Sequence, residues 1–212
     1  MLKCNPEIVA KGLQYIFNLV LLTQIYPKIW NTSYISPLFK AGDVEEPGNY
    51  RGICVGNAIG KLFNKCLNKR IQDFLTTQKI LPNNSLGFQK KIQTEHAMHV
   101  LNTVNSKYKQ IGKKLFSAFV DFSKFYDTIN HNLLFSKLEK VGITGKVLNL
   151  VKNMYCDIEY SIKIRYTDNI LKTDVFKSNI GLKQGCPLSP TFANIYLFDI
   201  HCFLLNDVTL ES

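Results

Sequence analysis

The chain has 212 residues, of which 46% are hydrophobic and 20% are charged. It is therefore long and apolar enough to bury a core, and an intrinsically disordered protein is excluded. Six cysteines without a Cys-x-x-Cys pair or a histidine cluster argue against a disulfide scaffold and a zinc site. We expect reduced cysteines and an intracellular protein, in the nucleus or the cytoplasm.

The formal net charge is +10, and it is unevenly distributed along the chain. Residues 1–115 carry 16 Lys and Arg against 6 Asp and Glu, whereas residues 116–212 carry 10 of each. This distribution indicates a surface that binds phosphates, next to a region that bears carboxylates. A merely soluble, lysine-rich surface explains the charge alone equally well.

The first half is predicted to hold three helices and a hairpin. Residues 12–27 lack charge, but they are too short and too interrupted by polar side chains for a membrane span, and their helical spacing predicts a buried helix. Extended segments at 30–39 and 50–55 flank a turn-rich loop, which predicts a hairpin with Lys40 and Arg51 near its ends. An amphipathic helix at 58–75 has a basic outer face, and Thr94 is expected to cap a helix reaching 110.

The second half begins with an apolar run, 115–120, that ends in Asp121. Such a run predicts a strand buried on both faces, which would hold the carboxylate rigidly. A helix capped by Asn130 is predicted to end near 141, and a second helix, capped by Thr144, is predicted to run through 155. Alternating residues at 158–166 predict a strand that turns back through 167–169 into 170–176. A glycine-punctuated loop, 181–190, leads into a helix with Ser189 as its cap and Pro190 as its first residue.

Six segments, in order along the chain, resemble the reverse transcriptase domain of non-LTR retrotransposons of the LINE or jockey-like group. They are Pro-Leu-Phe-Lys-Ala-Gly-Asp at 37–43, Asn-Tyr-Arg-Gly-Ile at 49–53, Gly-Lys-Leu-Phe at 60–63, Leu-Gly-Phe at 86–88, Phe-Val-Asp-Phe-Ser-Lys at 119–124 with Asp127, and Gly-Leu-Lys-Gln-Gly-Cys-Pro-Leu-Ser-Pro at 181–190. Each segment alone is weak, but six in sequence are highly specific.

The resemblance implies an α+β fold with right-hand polymerase fingers and a partial palm, in which helices pack on a small, mostly antiparallel sheet. We expect 1–212 to be a single incomplete reverse transcriptase domain. Within it, 1–114 would form a basic N-terminal helix and fingers, and 115–212 a partial palm with an inserted hairpin at 158–176. The implied partners are an RNA template, a DNA primer and deoxynucleoside triphosphates. No membrane is expected.

The resemblance also implies roles for single residues. Asp121 would be the catalytic carboxylate and a ligand of Mg²⁺, with Mn²⁺ as a substitute, and the Phe122 carbonyl would help to hold one ion. Lys40 and Arg51 would close over the triphosphate, to which a guanidinium fork and an ammonium are suited. Tyr126 would lie beneath the sugar and favour deoxynucleotides.

The loop residues Gln184 and Gly185 would lie beside the incoming nucleotide, where glycine allows close approach of the backbone. Asp127 is interpreted as structural, capping the turn that follows it. Without the resemblance, Asp121 is a turn residue at a strand end, and Lys40 and Arg51 are ordinary hairpin charges. Tyr126 is a core-packing residue, and the loop with Gln184 and Gly185 is a simple connection.

The sequence also departs from the family pattern. It contains no Asp-Asp pair, although the family carries an aromatic-Ala-Asp-Asp hairpin as its second metal-binding element. Phe125 stands where the family usually has alanine, and a ring there is expected to crowd the pocket. We therefore expect the isolated chain not to extend primers. The alternatives are a non-catalytic nucleic-acid-binding remnant that uses residues 1–115, and a fragment without a stable fold of its own.

Overall fold

A computed structural model of the chain describes residues 6–80, Gly87, 93–166 and 169–200. The α-helices in these ranges are α1 (Pro6–Thr23), α2 (Lys28–Asn31), α3 (Ala58–Thr77), α4 (Thr94–Gln110), α5 (Phe125–Thr128), α6 (His131–Lys140), α7 (Gly145–Tyr155) and α8 (Ser189–Tyr196). No helix in the described ranges has the length and apolar character needed to cross a membrane.

Five strands form one small mixed sheet: β1 (Thr32–Phe39), β2 (Tyr50–Val55), β3 (Glu159–Tyr166), β4 (Asn169–Lys172) and β5 (Phe176–Lys177). Their order is β2-β1-β3-β4, and β5 also pairs with β3. Only the β1–β3 pair is parallel, and the other pairs are antiparallel. The predicted α+β fold with a mostly antiparallel sheet is confirmed.

Both predicted hairpins form. Strands β1 and β2 pair from Tyr34 opposite Val55 to Phe39 opposite Tyr50, so Lys40 and Arg51 lie at the same end of the hairpin. Strands β3 and β4 pair directly, although β4 ends at Lys172 and the extended chain resumes only in β5. Residues 167 and 168 of the predicted turn at 167–169 lie outside the described residues, as does the motif at 86–88 apart from Gly87.

The core joins the helices of both halves of the chain. From α3 it takes side chains spaced four residues apart, namely Phe63, Leu67, Ile71 and Leu75, which are all almost fully buried. They meet buried residues of the later helices, such as Leu134, Leu150 and Phe192. The α3 ring of Phe63 also packs within 5.5 Å of Trp30, measured between ring centroids. This shared core supports the sheet and the loop that follows it.

The six longer helices were predicted well, but α2 and α5 were not, and α2 includes Trp30 and Asn31 of the segment predicted to be extended. Caps and burial were also predicted less well. Helix α1 exists, yet among its residues only Val20 is fully buried, so the expectation of a buried helix holds for one side only. The cap of α4 is Gln93, whose backbone N–H donates to His96 Nδ1 at 3.1 Å, so Thr94 is already helical. Similarly, the Ser189 hydroxyl donates to the Lys183 carbonyl at 2.7 Å instead of capping α8.

The predicted buried strand at 115–120 is wrong. These residues form no strand, and the side chains of Phe116, Phe119 and Val120 are 89%, 82% and 70% exposed. A strand needs a neighbour to satisfy its backbone and a layer over its side chains, and no described strand pairs with this segment. The apolar run was visible in the sequence, but its partner was not. The division of the domain at 114 and 115 stays a prediction.

Candidate functional site

The loop at 181–190 is anchored on the segment that follows Asp121. The backbone N–H of Gly181 donates to the Ile129 carbonyl at 2.8 Å, and that of Leu182 donates to the Tyr126 carbonyl at 2.6 Å. Gly181 has a φ of +86°, and a Cβ there would lie 3.0 Å from the Asp127 carbonyl oxygen. Only glycine tolerates both conditions, so this residue type is required for the contact.

The same loop is anchored on β2. The backbone N–H of Cys54 donates to the Gln184 carbonyl at 2.7 Å. Gly185 has a φ of +102°, and a Cβ at this position would lie 3.0 Å from the Cys54 carbonyl oxygen. The loop therefore lies directly against the strand that carries Arg51, three residues before Cys54.

A side-chain bond completes this arrangement, because Gln184 Nε2 donates to Asp127 Oδ1 at 3.1 Å. This contact corrects the expectation that Asp127 caps the following turn. Asp127 instead holds the amide of Gln184, one of the predicted nucleotide-facing residues. We call these three connections, to Tyr126–Ile129, to Cys54 and to Asp127, the loop anchor.

Tyr126 and Phe125 belong to a partly buried aromatic group. The ring centroid of Phe125 lies 5.4 Å from that of Phe122, 5.9 Å from Tyr126 and 6.2 Å from Tyr196 of α8. Phe125 thus has packing partners in the hydrophobic core cluster. Partial burial also raises the pKa of the Tyr126 hydroxyl, which stays neutral at physiological pH.

The candidate site residues lie within a stretch of the chain that matches one known family. Residues 39–210 match the family described as "Reverse transcriptase (RNA-dependent DNA polymerase)". The chain belongs to the reverse transcriptase family.

Several curated proteins of non-LTR retrotransposons resemble this reverse transcriptase chain. "Probable RNA-directed DNA polymerase from transposon BS" of Drosophila melanogaster is 26% identical over 202 residues, which are 95% of this chain and 22% of that protein. "RNA-directed DNA polymerase from mobile element jockey" of the same species is 23% identical, over 92% of this chain and 21% of that protein. "Retrovirus-related Pol polyprotein from type-1 retrotransposable element R2" of Popillia japonica is 26% identical, over 84% and 24% respectively. The chain thus spans less than a quarter of the length of these relatives.

The structure does not bring all the predicted site residues together. Asp121, Lys40 and Arg51 are exposed, and within the described ranges no hydrogen bond or ion pair joins their side chains to one another or to the loop. Phe122 contacts Phe125. Gln184, Gly185 and Tyr126 are the candidates that the structure brings together.

Reverse transcriptases use divalent metal ions, which need several oxygen ligands. The described part of the chain contains no group of three His, Cys, Asp or Glu side chains that could hold a metal ion. Asp127, the carboxylate nearest in sequence to Asp121, is bonded to Gln184. The described residues therefore do not fit a two-metal centre.

Two polar residues that support the loop were missed by sequence reasoning, the buried His131 and the half-buried Lys183, which belongs to the loop itself. His131 Nε2 lies 2.8 Å from the Gly181 carbonyl oxygen, which can only accept, so this nitrogen carries the proton. Lys183 Nζ donates to Asn31 Oδ1 at 3.1 Å, and burial lowers the pKa of Lys183. The position of Lys183 inside the glycine-rich motif was a usable signal, but nothing in the pattern around His131 marked it as buried.

Proposed function

We propose that this chain forms the nucleotide-facing part of an RNA-directed DNA polymerase, which adds deoxynucleotides to a primer on an RNA template. The observation that carries this proposal is the loop anchor. It presents Gln184 and Gly185 beside Tyr126 in a chain that belongs to the reverse transcriptase family. Asp127 and Gln184 are 57 residues apart in sequence, and these bonds connect their two segments directly.

The proposed roles follow from this placement. Gly185 offers backbone without a side chain, and Gln184 is oriented by Asp127, so both are suited to contact an incoming deoxynucleoside triphosphate. The half-buried Tyr126 is proposed to exclude a ribose 2′-hydroxyl. Lys40 and Arg51, at one end of the β1–β2 hairpin, are proposed to bind the triphosphate.

Nucleotide binding tests this proposal without requiring catalysis. Gly185→Ala should weaken the binding of a fluorescent deoxynucleoside triphosphate on the order of tenfold, because a methyl group would displace the loop from Cys54. Gly145→Ala is the matched control: Gly145 also has a positive φ, +59°, but a Cβ at this position would have no other atom within 4 Å. Equal affinity in the two variants would argue against this site.

Asp121 is the proposed catalytic carboxylate and, with the Phe122 carbonyl, the proposed contact for Mg²⁺ or Mn²⁺. Since the described residues form no group of three side chains that could hold a metal ion, we expect the isolated chain to show no primer extension with either ion. A primer-extension assay with Asp121→Asn as the control measures this. Template-dependent incorporation that disappears in Asp121→Asn would overturn the expectation.

A second candidate function is nucleic-acid binding without catalysis, through the outer face of α3. Lys61, Lys65 and Lys69 follow one another at helical spacing, are exposed, and form none of the ion pairs found among the described residues. This function predicts RNA affinity that falls steeply with salt and does not change in Asp121→Ala. Weak binding at low salt would exclude it.

A further inference from the structure

The two faces of the sheet have different surroundings. Ser33 and Tyr160 point to one face and are buried, with Ile35 and Cys54 packed on the core beside them. On the opposite face of β1, the side chains of Thr32, Tyr34, Ser36 and Leu38 are all exposed. Because side chains alternate along a strand, this second face is open along the whole of β1.

The open face carries an unusual pair of positive charges. Lys163 on β3 lies directly opposite Lys172 on β4, and like charges in such a position repel each other. Each ammonium group lies 5.3 Å from the ring centroid of Tyr34, so both flank one aromatic ring. The attraction of the ring for cations holds the two lysines together. We call Tyr34, Lys163 and Lys172 the lysine–tyrosine cluster.

No carboxylate of the described residues neutralises this cluster. The acids that form ion pairs near it are engaged elsewhere, since Glu159 pairs with Lys28 at 3.2 Å and Asp157 pairs with Lys177 at 2.7 Å. Arg165, two residues beyond Lys163 on the same face of β3, adds a further exposed positive charge. The cluster therefore concentrates positive charge, and a bound anion would reduce the repulsion between its two lysines.

The cluster lies on the same face of the sheet as Arg51. Arg51 pairs with Leu38, which is four residues from Tyr34 along β1, a distance of about 13 Å at the usual rise per residue. A strand of nucleic acid that reaches the proposed triphosphate contact can therefore extend across this face. The parallel pairing of β1 with β3 makes this positive surface continuous. It places lysines of residues 116–212, whose net charge is zero, beside a strand of the basic residues 1–115.

We propose that the lysine–tyrosine cluster binds the sugar–phosphate backbone of a nucleic acid. The choice of a nucleic acid over another polyanion rests on the proposed polymerase function. The two ammonium groups contact phosphates, and the Tyr34 ring fixes their positions. This surface is separate from the basic face of α3 and from the loop anchor.

The test is the salt dependence of binding to a fluorescently labelled single-stranded RNA, measured by anisotropy. The variant Lys163→Gln/Lys172→Gln should bind on the order of tenfold more weakly at moderate salt, with a slope of log K against log salt smaller by about 1.4. Lys146→Gln/Lys152→Gln is the matched control, because it removes two exposed lysines from α7 and should leave affinity and slope nearly unchanged.

Several results would overturn the proposal. An equal loss in both double variants would show that only total charge matters, and unchanged binding in the cluster variant would show that it makes no contact. Competition by polyglutamate as strong as by unlabelled RNA would indicate an acidic protein as the partner. A single-stranded DNA of the same sequence distinguishes the two nucleic acids, and binding of either supports the proposal. Because nucleotide binding in Gly185→Ala is measured separately, failure of the cluster and failure of the polymerase site are distinguishable.

Discussion

His131 offers the sharpest test of how the loop is held. Its side chain is 8% exposed, donates from Nε2 to the Gly181 carbonyl at 2.8 Å, and packs 4.8 Å from the ring of Tyr155, measured between centroids. His131→Phe keeps a ring of similar size but removes the donor. Since the carbonyl of the buried Gly181 then lacks this partner, we expect the free energy of unfolding to fall by about 1–3 kcal/mol.

His131→Gln is the rescue variant, because its amide nitrogen can donate to the same carbonyl. Urea denaturation followed by circular dichroism measures the three proteins, and His131→Gln should recover part of the loss. The nucleotide affinity of His131→Phe should also fall at temperatures where the protein is still folded, because the loop carries Gln184 and Gly185. A change below about 0.5 kcal/mol in His131→Phe, within the usual range for surface substitutions, would refute the reasoning.

The same residue predicts a pH dependence. Burial lowers the pKa of His131 below its ordinary value of 6.5, and the bond to the Gly181 carbonyl opposes this only in part. The unfolded chain therefore binds a proton more readily than the folded protein, so His131 makes stability fall as the pH drops below 6.5. The difference in stability between wild type and His131→Phe should shrink between pH 7 and pH 5. A constant difference across this range would contradict the assignment.

Three further predictions concern stability and use the same denaturation assay. Lys137→Met should cost about 1–3 kcal/mol, because Lys137 Nζ lies 2.6 Å from the mostly buried Asp199 carboxylate, whereas the 67% exposed Lys140, at 4.0 Å, should tolerate methionine. Burial raises the pKa of Asp199, but the bond from Lys137 outweighs it and lowers this pKa. The contribution of the ion pair to stability should therefore be lost as the pH falls below 4. Asn57→Ala should cost about 1 kcal/mol, since Asn57 caps α3 by accepting from two backbone N–H groups. Phe119→Ser should change stability by less than about 0.5 kcal/mol, because this side chain is 82% exposed, and a loss of about 3 kcal/mol would indicate a buried strand instead.

Local structure was predictable because its causes are local. Asn130 accepts a hydrogen bond from the Leu133 N–H at 3.1 Å, as expected of a cap, and the hairpin strand β2 has the predicted bounds. Helix periodicity, caps and turn residues act over a few neighbouring positions, so a short window of sequence contains the needed information. The error at 115–120 has the opposite origin, because burial of an apolar run depends on a partner elsewhere.

Part of the candidate site was also predictable, but not how it is assembled. The motif order predicted Tyr126, Gln184 and Gly185 as nucleotide-facing residues. The structure brings their segments together, and their roles stay predictions. The sequence offered no sign that Asp127 bonds to Gln184, or that His131 supports the loop from a position 50 residues away. The roles of Asp121, Lys40 and Arg51 stay predictions, since no described side-chain contact joins them to the loop.

The sequence by itself determined the family, the six longer helices and the two hairpins, because motif order and residue spacing are properties of the chain alone. Only the tertiary structure decided which distant groups meet: the loop against β2, His131 beneath Gly181, and Lys163 beside Tyr34. The physical reason is that each of these contacts closes a long loop, and its position depends on the packing of the elements between. A parallel pair such as β1–β3 needs a long crossover connection, so no local sequence pattern predicts the pairing.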